Sequence, residues 1–205
     1  MKYLIFDFNG TIVDDLPLIM ELMTETLKTK NIDLTKYSTE YLREKGVAKF
    51  MEEIKISKIE LFWLFKDLKS KIRRKQSSCP IVKDLIEYLP RLSEKHKLLI
   101  FSSNTPETIH DYLQKNNIDK YFDDVYEDDS YFGKEDGLKK IVKDLKIDIS
   151  DAVYFGDESR DIIAANKVGI KSVAVTWGFE GSTPLKSANP SVLINHPSEL
   201  LSINY

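Results

Sequence analysis

The sequence predicts an α/β protein in which a parallel sheet carries helices on both faces and a small helical cap follows the first strand. One observation is that short apolar segments alternate with helical patterns from residue 80 onwards, an order that produces a parallel sheet. Another is that residues 16–75 show helical spacing and no convincing strand. The 205 residues suffice for one core and a smaller module. We expect a core of residues 1–14 and 80–205 and a cap of residues 15–79.

The first strand is predicted at residues 3–8, YLIFDF, because this run is short, apolar and β-prone. Gly10 and Thr11 end it. In the cap, Leu18 and Leu22 recur at helical spacing. Further strands are expected at 97–102, 121–126, 152–155, 171–176 and 192–195, and helices at 81–92, 105–115, 134–145 and 161–168.

The composition indicates a folded protein that binds neither membranes nor nucleic acid. Apolar residues make up 42 % and charged residues 31 % of the chain, the net charge is −3, and no long basic tract occurs. No segment has the roughly 18 apolar residues of a membrane span. The apolar stretch within MKYLIFDF is short and ends at the carboxylate of Asp7, which is typical of a strand and not of a signal peptide. Cys79 is the only cysteine, so no disulfide framework is expected. We expect a cytoplasmic protein.

Polar residues follow four of the predicted strands. Asp7, Ser103 and Asp157 each lie at a strand end, and Gly133 and Lys134 follow another strand. Ligands of open α/β sheets bind at the carboxyl ends of the strands. A single carboxylate there is usually a turn or a cap. Two acidic strand ends with a hydroxyl and a lysine indicate a functional site.

This set of side chains suits phosphoryl transfer. The reaction needs an attacking oxygen, neutralisation of charge, and a metal that bridges the two. Asp7 can supply the oxygen, and Asp7 with Asp157 can hold Mg²⁺, which prefers oxygen ligands. The hydroxyl of Ser103 and adjacent backbone N–H groups, such as that of Asn104, can bind phosphate before a helix. Lys134 supplies a positive charge.

The same residues fall in four motifs that resemble those of haloacid dehalogenase superfamily phosphatases. The motifs are LIFDFNGTIVDD at 4–15, LLIFSSNTPE at 98–107, Lys134 within YFGKEDG, and VYFGDESRDIIAANKVGIKSVAVTWGF at 153–179. The last motif and the cap after the first strand resemble the phosphoglycolate phosphatase-like subgroup. The motifs span nearly the whole chain. The resemblance implies a Rossmann-like core and a phosphoric monoester hydrolase.

The resemblance also implies a role for each matching residue. Asp7 would be the nucleophile that becomes an aspartyl-phosphate. The backbone carbonyl of Asn9 would bind Mg²⁺ together with Asp7 and Asp157. Asp161 would orient a water on the metal or the lysine, and Thr11 would steady the nucleophile loop beside the phosphate.

The second motif contains two serines, either of which could supply the hydroxyl that binds phosphate. Ser103 is the better match, and Ser102 is the alternative. Asp14 and Asp15 are interpreted as marking the start of the cap. A break at Gly46 makes Arg43 and Lys49 candidates for substrate specificity.

Asn9 departs from the family pattern, which has a second Asp there as general acid and base. An amide donates hydrogen bonds but transfers no proton at neutral pH. If this acid is simply missing, Asn9→Asp should raise the rate, unless Glu158 or a cap residue supplies the proton.

Three functions therefore stay open. The first is a slow Mg²⁺-dependent phosphatase, monomeric or weakly dimeric, that acts on a small phosphorylated metabolite. The second is a phosphate-binding or regulatory protein with little turnover. The third is a metal-free haloacid dehalogenase, which has no use for the acidic pair Asp157 and Asp161.

Overall fold

A six-stranded parallel sheet lies at the centre of the protein. The structure, a computed structural model, describes residues 1–128 and 134–205. Its strands are β1 (Tyr3–Phe6), β2 (Lys97–Ser102), β3 (Asp124–Glu127), β4 (Ala152–Gly156), β5 (Lys171–Val175) and β6 (Val192–Ile194), in the order β3-β2-β1-β4-β5-β6. The order reverses between β1 and β4, which is where α/β sheets bind ligands. The predicted fold class is confirmed.

Four helices form the cap between β1 and β2. They are α1 (Leu16–Lys28), α2 (Thr39–Lys45), α3 (Val47–Glu53) and α4 (Lys58–Lys75). Ser57 and Glu60 form a capping box that fixes the start of α4. The helices bury an apolar cluster that includes Leu22, Leu27, Phe50, Leu64 and Leu68. The division into a cap of residues 15–79 and a core stays a prediction.

Helices cover both faces of the sheet because strand side chains alternate in direction. Leu4 and Phe6 of β1 lie in one apolar cluster and Ile5 lies in another, as the two-residue repeat of a strand requires. On the first face lie α5 (Leu85–Ser93) and α6 (Pro106–Lys115), and on the second lie α7 (Glu135–Leu145) and α8 (Ser159–Val168).

The two segments that connect the cap to the core, at residues 12–14 and 80–82, lie side by side. Val13 and Ile81 form an isolated antiparallel bridge. Beside it, the N–H of residue 14 donates to the carbonyl of residue 80, and the N–H of residue 82 donates to the carbonyl of residue 12, each at 2.9 Å. The prediction of a helix from residue 81 was therefore wrong at its start. α5 begins at Leu85, because residues 81 and 82 pair with the preceding linker.

Three other elements differ from the prediction. β1 ends at Phe6, since residues 7 and 8 already belong to the loop that holds the site. β3 begins at Asp124, after a 3₁₀ turn at Asp119–Tyr121. The short helix α9 (Ser182–Ser187) was not predicted, because its six residues bury only Leu185. None of the helices in the described residues combines the length and the apolar character that crossing a membrane requires.

Candidate active site

Asp7 lies directly after β1, at the carboxyl edge of the sheet. Its N–H donates to the carbonyl of Phe155 at 2.8 Å, and its Oδ1 accepts the N–H of Phe8 at 2.8 Å. Burial raises the pKa of Asp7 to about 6, although Lys134 acts in the opposite direction. Within the described part of the chain, no hydrogen bond reaches Oδ2 of Asp7. Oδ2 is therefore the oxygen left for a reaction partner.

Lys134 lies just before α7 and is buried beside Asp7. Its Nζ is 2.8 Å from Oδ1 of Asp7 and 2.9 Å from Oδ1 of Asp161, and it donates to the hydroxyl of Tyr154 at 2.7 Å. The contacts with the two carboxylates are ion pairs, and the contact with Tyr154 is a hydrogen bond. Burial disfavours the charge, but the carboxylates of Asp161 and Asp7 outweigh it and hold the pKa of Lys134 well above its usual range. A positive charge is thus fixed beside Asp7.

Asp157 lies one residue beyond β4, enclosed by the two neighbouring loops. Its Oδ1 accepts the hydroxyl of Thr11 at 3.1 Å, and its Oδ2 accepts the N–H of Phe179 at 2.7 Å. A Cβ on Gly10 or on Gly178 would overlap this carboxylate, so the backbone can approach it only as glycine. Burial, and next the charge of Asp7, raise the pKa of Asp157 well above its usual range.

The donor set fits a divalent cation between Asp7 and Asp157. Carboxylate oxygens of Asp7, Asp157 and Asp161 lie within 4.8 Å of one another in buried surroundings. Mg²⁺ takes oxygen ligands at about 2.0–2.1 Å, so two of these carboxylates can share one ion. Lys134 neutralises Asp7 and Asp161, but no cation within the described residues pairs with Asp157. Asp161 also accepts the N–H of Glu158 at 3.2 Å, which holds it at the start of α8.

The two candidate serines at the end of β2 differ in their hydrogen bonds. The Oγ of Ser102 is buried and accepts the N–H of Asn104 at 3.2 Å. The hydroxyl of Ser103, by contrast, has no hydrogen bond within the described residues. This difference favours Ser103 as the phosphate-binding hydroxyl. The backbone N–H of Asn104, which was predicted to bind phosphate, donates instead to the Oγ of Ser102.

The Asn9 side chain joins the loops that follow β1 and β2. Its Oδ1 accepts the side-chain N–H of Asn104 at 2.6 Å, and its Nδ2 donates to Oδ2 of Asp15. Oδ1 of Asp15 accepts the N–H of Gly10 at 3.2 Å. Burial raises the pKa of Asp15 to about 6, while the hydrogen bond from Asn9 opposes it. Asp15 therefore belongs to the site and does more than mark the start of the cap.

Sequence reasoning missed Tyr154 and the site role of Asp15. A tyrosine inside the apolar strand AVYFG was a usable signal, because a buried phenol needs a polar partner. No comparable signal points to Asp15, since its contact with Asn9 depends on the loop between them. Residues 131–133 of the third motif, including Gly133, lie outside the described residues.

The cap contacts the core through charged side chains of α2 and α4. The guanidinium of Arg43 donates to the carbonyls of Gly178, at 3.0 Å, and Thr176. Glu44 accepts the N–H groups of residues 182 and 183 at the start of α9, each at 2.9 Å. Arg43 thus fastens the cap to the core, and the specificity role suggested for it stays a prediction. Arg73 of α4 donates to the carbonyl of Ser103 at 3.3 Å.

Comparisons with known proteins agree with this architecture. The family model described as "Haloacid dehalogenase-like hydrolase" matches residues 4–175. A phosphoglycolate phosphatase from Synechococcus elongatus is 30 % identical over 209 residues, covering 98 % of this chain and 96 % of the relative. A pyrophosphatase from Bacillus cereus is 24 % identical over 216 residues, covering 97 % and 94 %.

A solved structure shares the fold over its whole length. A haloacid dehalogenase-like family hydrolase from Streptococcus pneumoniae aligns with a TM-score of 0.75 and 22 % identity, over 98 % of this chain and 97 % of that one. The chain belongs to the haloacid dehalogenase-like hydrolase family and is an enzyme related to the phosphoglycolate phosphatases.

Proposed function

We propose that this enzyme is a Mg²⁺-dependent phosphatase that hydrolyses a small phosphomonoester through an aspartyl-phosphate on Asp7. The observation that carries the proposal is the buried group of Asp7, Asp157 and Asp161 around Lys134, at the edge of the sheet where ligands bind. A purely structural role does not account for three buried carboxylates with one lysine. Such a group suits a reaction in which negative charge develops in the transition state and must be stabilised.

Asp7 attacks phosphorus through Oδ2, since Oδ1 is held by Lys134 and by the N–H of Phe8. The bond between phosphorus and the ester oxygen breaks, and the leaving group departs with the electron pair. Water then attacks the aspartyl-phosphate, which releases inorganic phosphate and restores the Asp7 carboxylate. The hydroxyl of Ser103 and the ammonium of Lys134 hold phosphate oxygens during both steps.

Asp7, Asp157 and the backbone carbonyl of Asn9 would hold the metal. Mg²⁺ bound there supplies neutralisation of the charge on the transferring group. Thr11 and the N–H of Phe179 fix the Asp157 carboxylate for this role. We place the reaction in the cytoplasm, in a monomer or weak dimer.

The substrate we propose is a small phosphorylated metabolite with a second anionic group. Relatives are named for phosphoglycolate and for pyrophosphate hydrolysis, and both compounds carry a second negative charge beside the reacting phosphoryl group. Arg73 is the cap side chain that contacts the phosphate loop, through the carbonyl of Ser103. It is exposed, and its guanidinium has further N–H donors, beyond the one to Ser103, for such a group.

Kinetics with matched substrates test the role of Arg73. Arg73→Gln should raise KM for phosphoglycolate and pyrophosphate by about fivefold to tenfold, the effect of losing one charge pair near a surface. KM for an aryl phosphate whose aryl group carries no charge should change little. Arg74→Gln is the matched control, because Arg74 is an exposed neighbour on the same helix. Equal changes for all substrates would contradict the assignment.

The central experiment measures phosphate release with and without Mg²⁺. Wild type should hydrolyse aryl phosphates, and excess chelator should stop turnover. Asp7→Asn should remove nearly all activity with an unchanged circular dichroism spectrum, whereas Asp14→Asn should keep most of it. A phosphate adduct trapped on the intact protein should map to Asp7. Full turnover in Asp7→Asn would overturn the proposal, and tight phosphate binding without turnover would favour the phosphate-binding function.

A further inference from the structure

Asp15 occupies a helix-capping position but does not cap its helix. It is the residue before α1, and an aspartate there usually accepts backbone N–H groups of the first turn. Its side chain makes no such bond. It is instead buried, 1 % exposed, and accepts from Nδ2 of Asn9 and from the N–H of Gly10. The carboxylate is thus directed back toward the loop that carries Asp7.

The contacts of Asn9 fix which way its side-chain amide is turned. Nδ2 meets the carboxylate of Asp15, and Oδ1 meets the side-chain N–H of Asn104. Turning the amide over would set Oδ1 against a carboxylate and Nδ2 against another N–H donor. A carboxylate accepts only, and an amide nitrogen donates only. Asp15 therefore specifies the orientation of the Asn9 amide.

We propose that Asp15 is a positioning residue for the reaction, acting through Asn9. The carboxylate holds one N–H of Nδ2, so the second N–H has a fixed direction and is the donor that Asn9 offers to the leaving oxygen of the substrate. The bond to the leaving group breaks as already described, and Asn9 stabilises the departing oxygen by a hydrogen bond without transferring a proton. Asn9 is half-buried, in the loop that follows β1 at the carboxyl edge of the sheet. The inference rests on the proposed phosphatase function.

The pair also changes what Asn9→Asp should do. Aspartate at position 9 would place two carboxylates in contact within a buried loop, and like charges at that separation repel. The single variant should therefore lose activity, although it supplies an acidic group. In Asn9→Asp with Asp15→Asn the amide and the carboxylate exchange places, and the donor–acceptor contact returns.

Four proteins test the proposal: wild type, Asn9→Asp, Asp15→Asn and the double variant. For each, kcat/KM is measured with one alkyl and one aryl phosphate. Asp15→Asn should lower the alkyl rate by about tenfold more than the aryl rate, the size of one hydrogen bond to a charged group. The double variant should exceed Asn9→Asp by a similar factor on the alkyl ester. Asp14→Asn, the adjacent carboxylate, should leave the alkyl-to-aryl ratio unchanged.

Melting temperatures of the same four proteins separate this inference from the proposed function. The double variant should melt above Asn9→Asp, whether or not the protein is a phosphatase. An inactive wild type with coupled melting temperatures would remove the phosphatase function, and the leaving-group role with it, while the pair stands. Additive melting temperatures, or an unchanged alkyl-to-aryl ratio in Asp15→Asn of an active enzyme, would overturn the positioning role.

Discussion

Lys134 is a charged residue that the fold buries almost completely within the site. It is 6 % exposed and lies between Asp7 and Asp161, with Tyr154 as its third partner. Burying an ammonium is unfavourable unless such partners compensate for lost water. The fixed charge is therefore both a structural and a chemical requirement.

Lys134→Met should destabilise the protein and abolish turnover. The change leaves two buried carboxylates without their cation, and breaking a buried ion pair in this way costs about 3–5 kcal/mol. Urea unfolding measures the free energy, and phosphate release measures activity. Lys139→Met is the control: its ion pair with Glu135 is exposed, and such pairs contribute roughly 0–1 kcal/mol. Equal losses in both variants would contradict this view of Lys134.

At this scale, residues at strand ends were predictable and residues that depend on loop closure were not. Asp7 and Asp157 follow apolar strand runs, and parallel strands bring their carboxyl ends to one edge. Lys134 alone carries no pattern, and it was placed because it follows another predicted strand and falls in one of the motifs of the resemblance. The Asn9–Asp15 contact requires the chain to turn back within six residues, and no periodicity encodes such a turn.

Among the elements, α2 and α9 hold the cap against the core. Glu44 of α2 accepts two N–H groups at the start of α9, and Arg43 donates to the loop before it. The contacts of Glu44 satisfy backbone donors that a helix start leaves without intrahelical partners. The cap is thus docked through hydrogen bonds to main-chain atoms.

Glu44→Gln should weaken this docking. A glutamine offers one acceptor oxygen where the carboxylate offers two, so one N–H of α9 loses its partner, at a cost of about 1 kcal/mol. Hydrogen exchange should accelerate at the amides of Ser182 and Thr183. Glu40→Gln provides the comparison, since its pair with Arg43 is exposed on the glutamate side. Unchanged exchange at both amides would show that Glu44 does not hold α9.

For the molecule as a whole, the buried charges of the site lower the stability of the folded protein. Asp157 is buried without a cation among the described residues, and its neighbours Asp7 and Asp161 carry the same charge. Functional sites commonly retain such unfavourable arrangements. The metal we propose would relieve the repulsion and link folding to metal binding.

Asp157→Asn should remove most of the stabilisation that Mg²⁺ gives the protein. Without metal the variant should melt above wild type, because one buried charge is gone while an amide can still contact Thr11 and the N–H of Phe179. With metal at 100 times its Kd, wild type should gain about 2.7 kcal/mol of unfolding free energy. The variant should gain little. A Mg²⁺ response in Asp157→Asn equal to that of wild type would exclude Asp157 as a ligand.

The position of β1 has a consequence for how the chain folds as it is made. β1 is a central strand, and its partners are residues 97–100 of β2 and 152–155 of β4. The intervening helices have their own apolar cluster, so they can become compact while β1 is still unpaired. At about 5–20 residues per second, an apolar strand waits many seconds for its neighbours. Asp7, next to β1, therefore leaves the ribosome well before Lys134 and Asp157, the residues that surround it in the folded site.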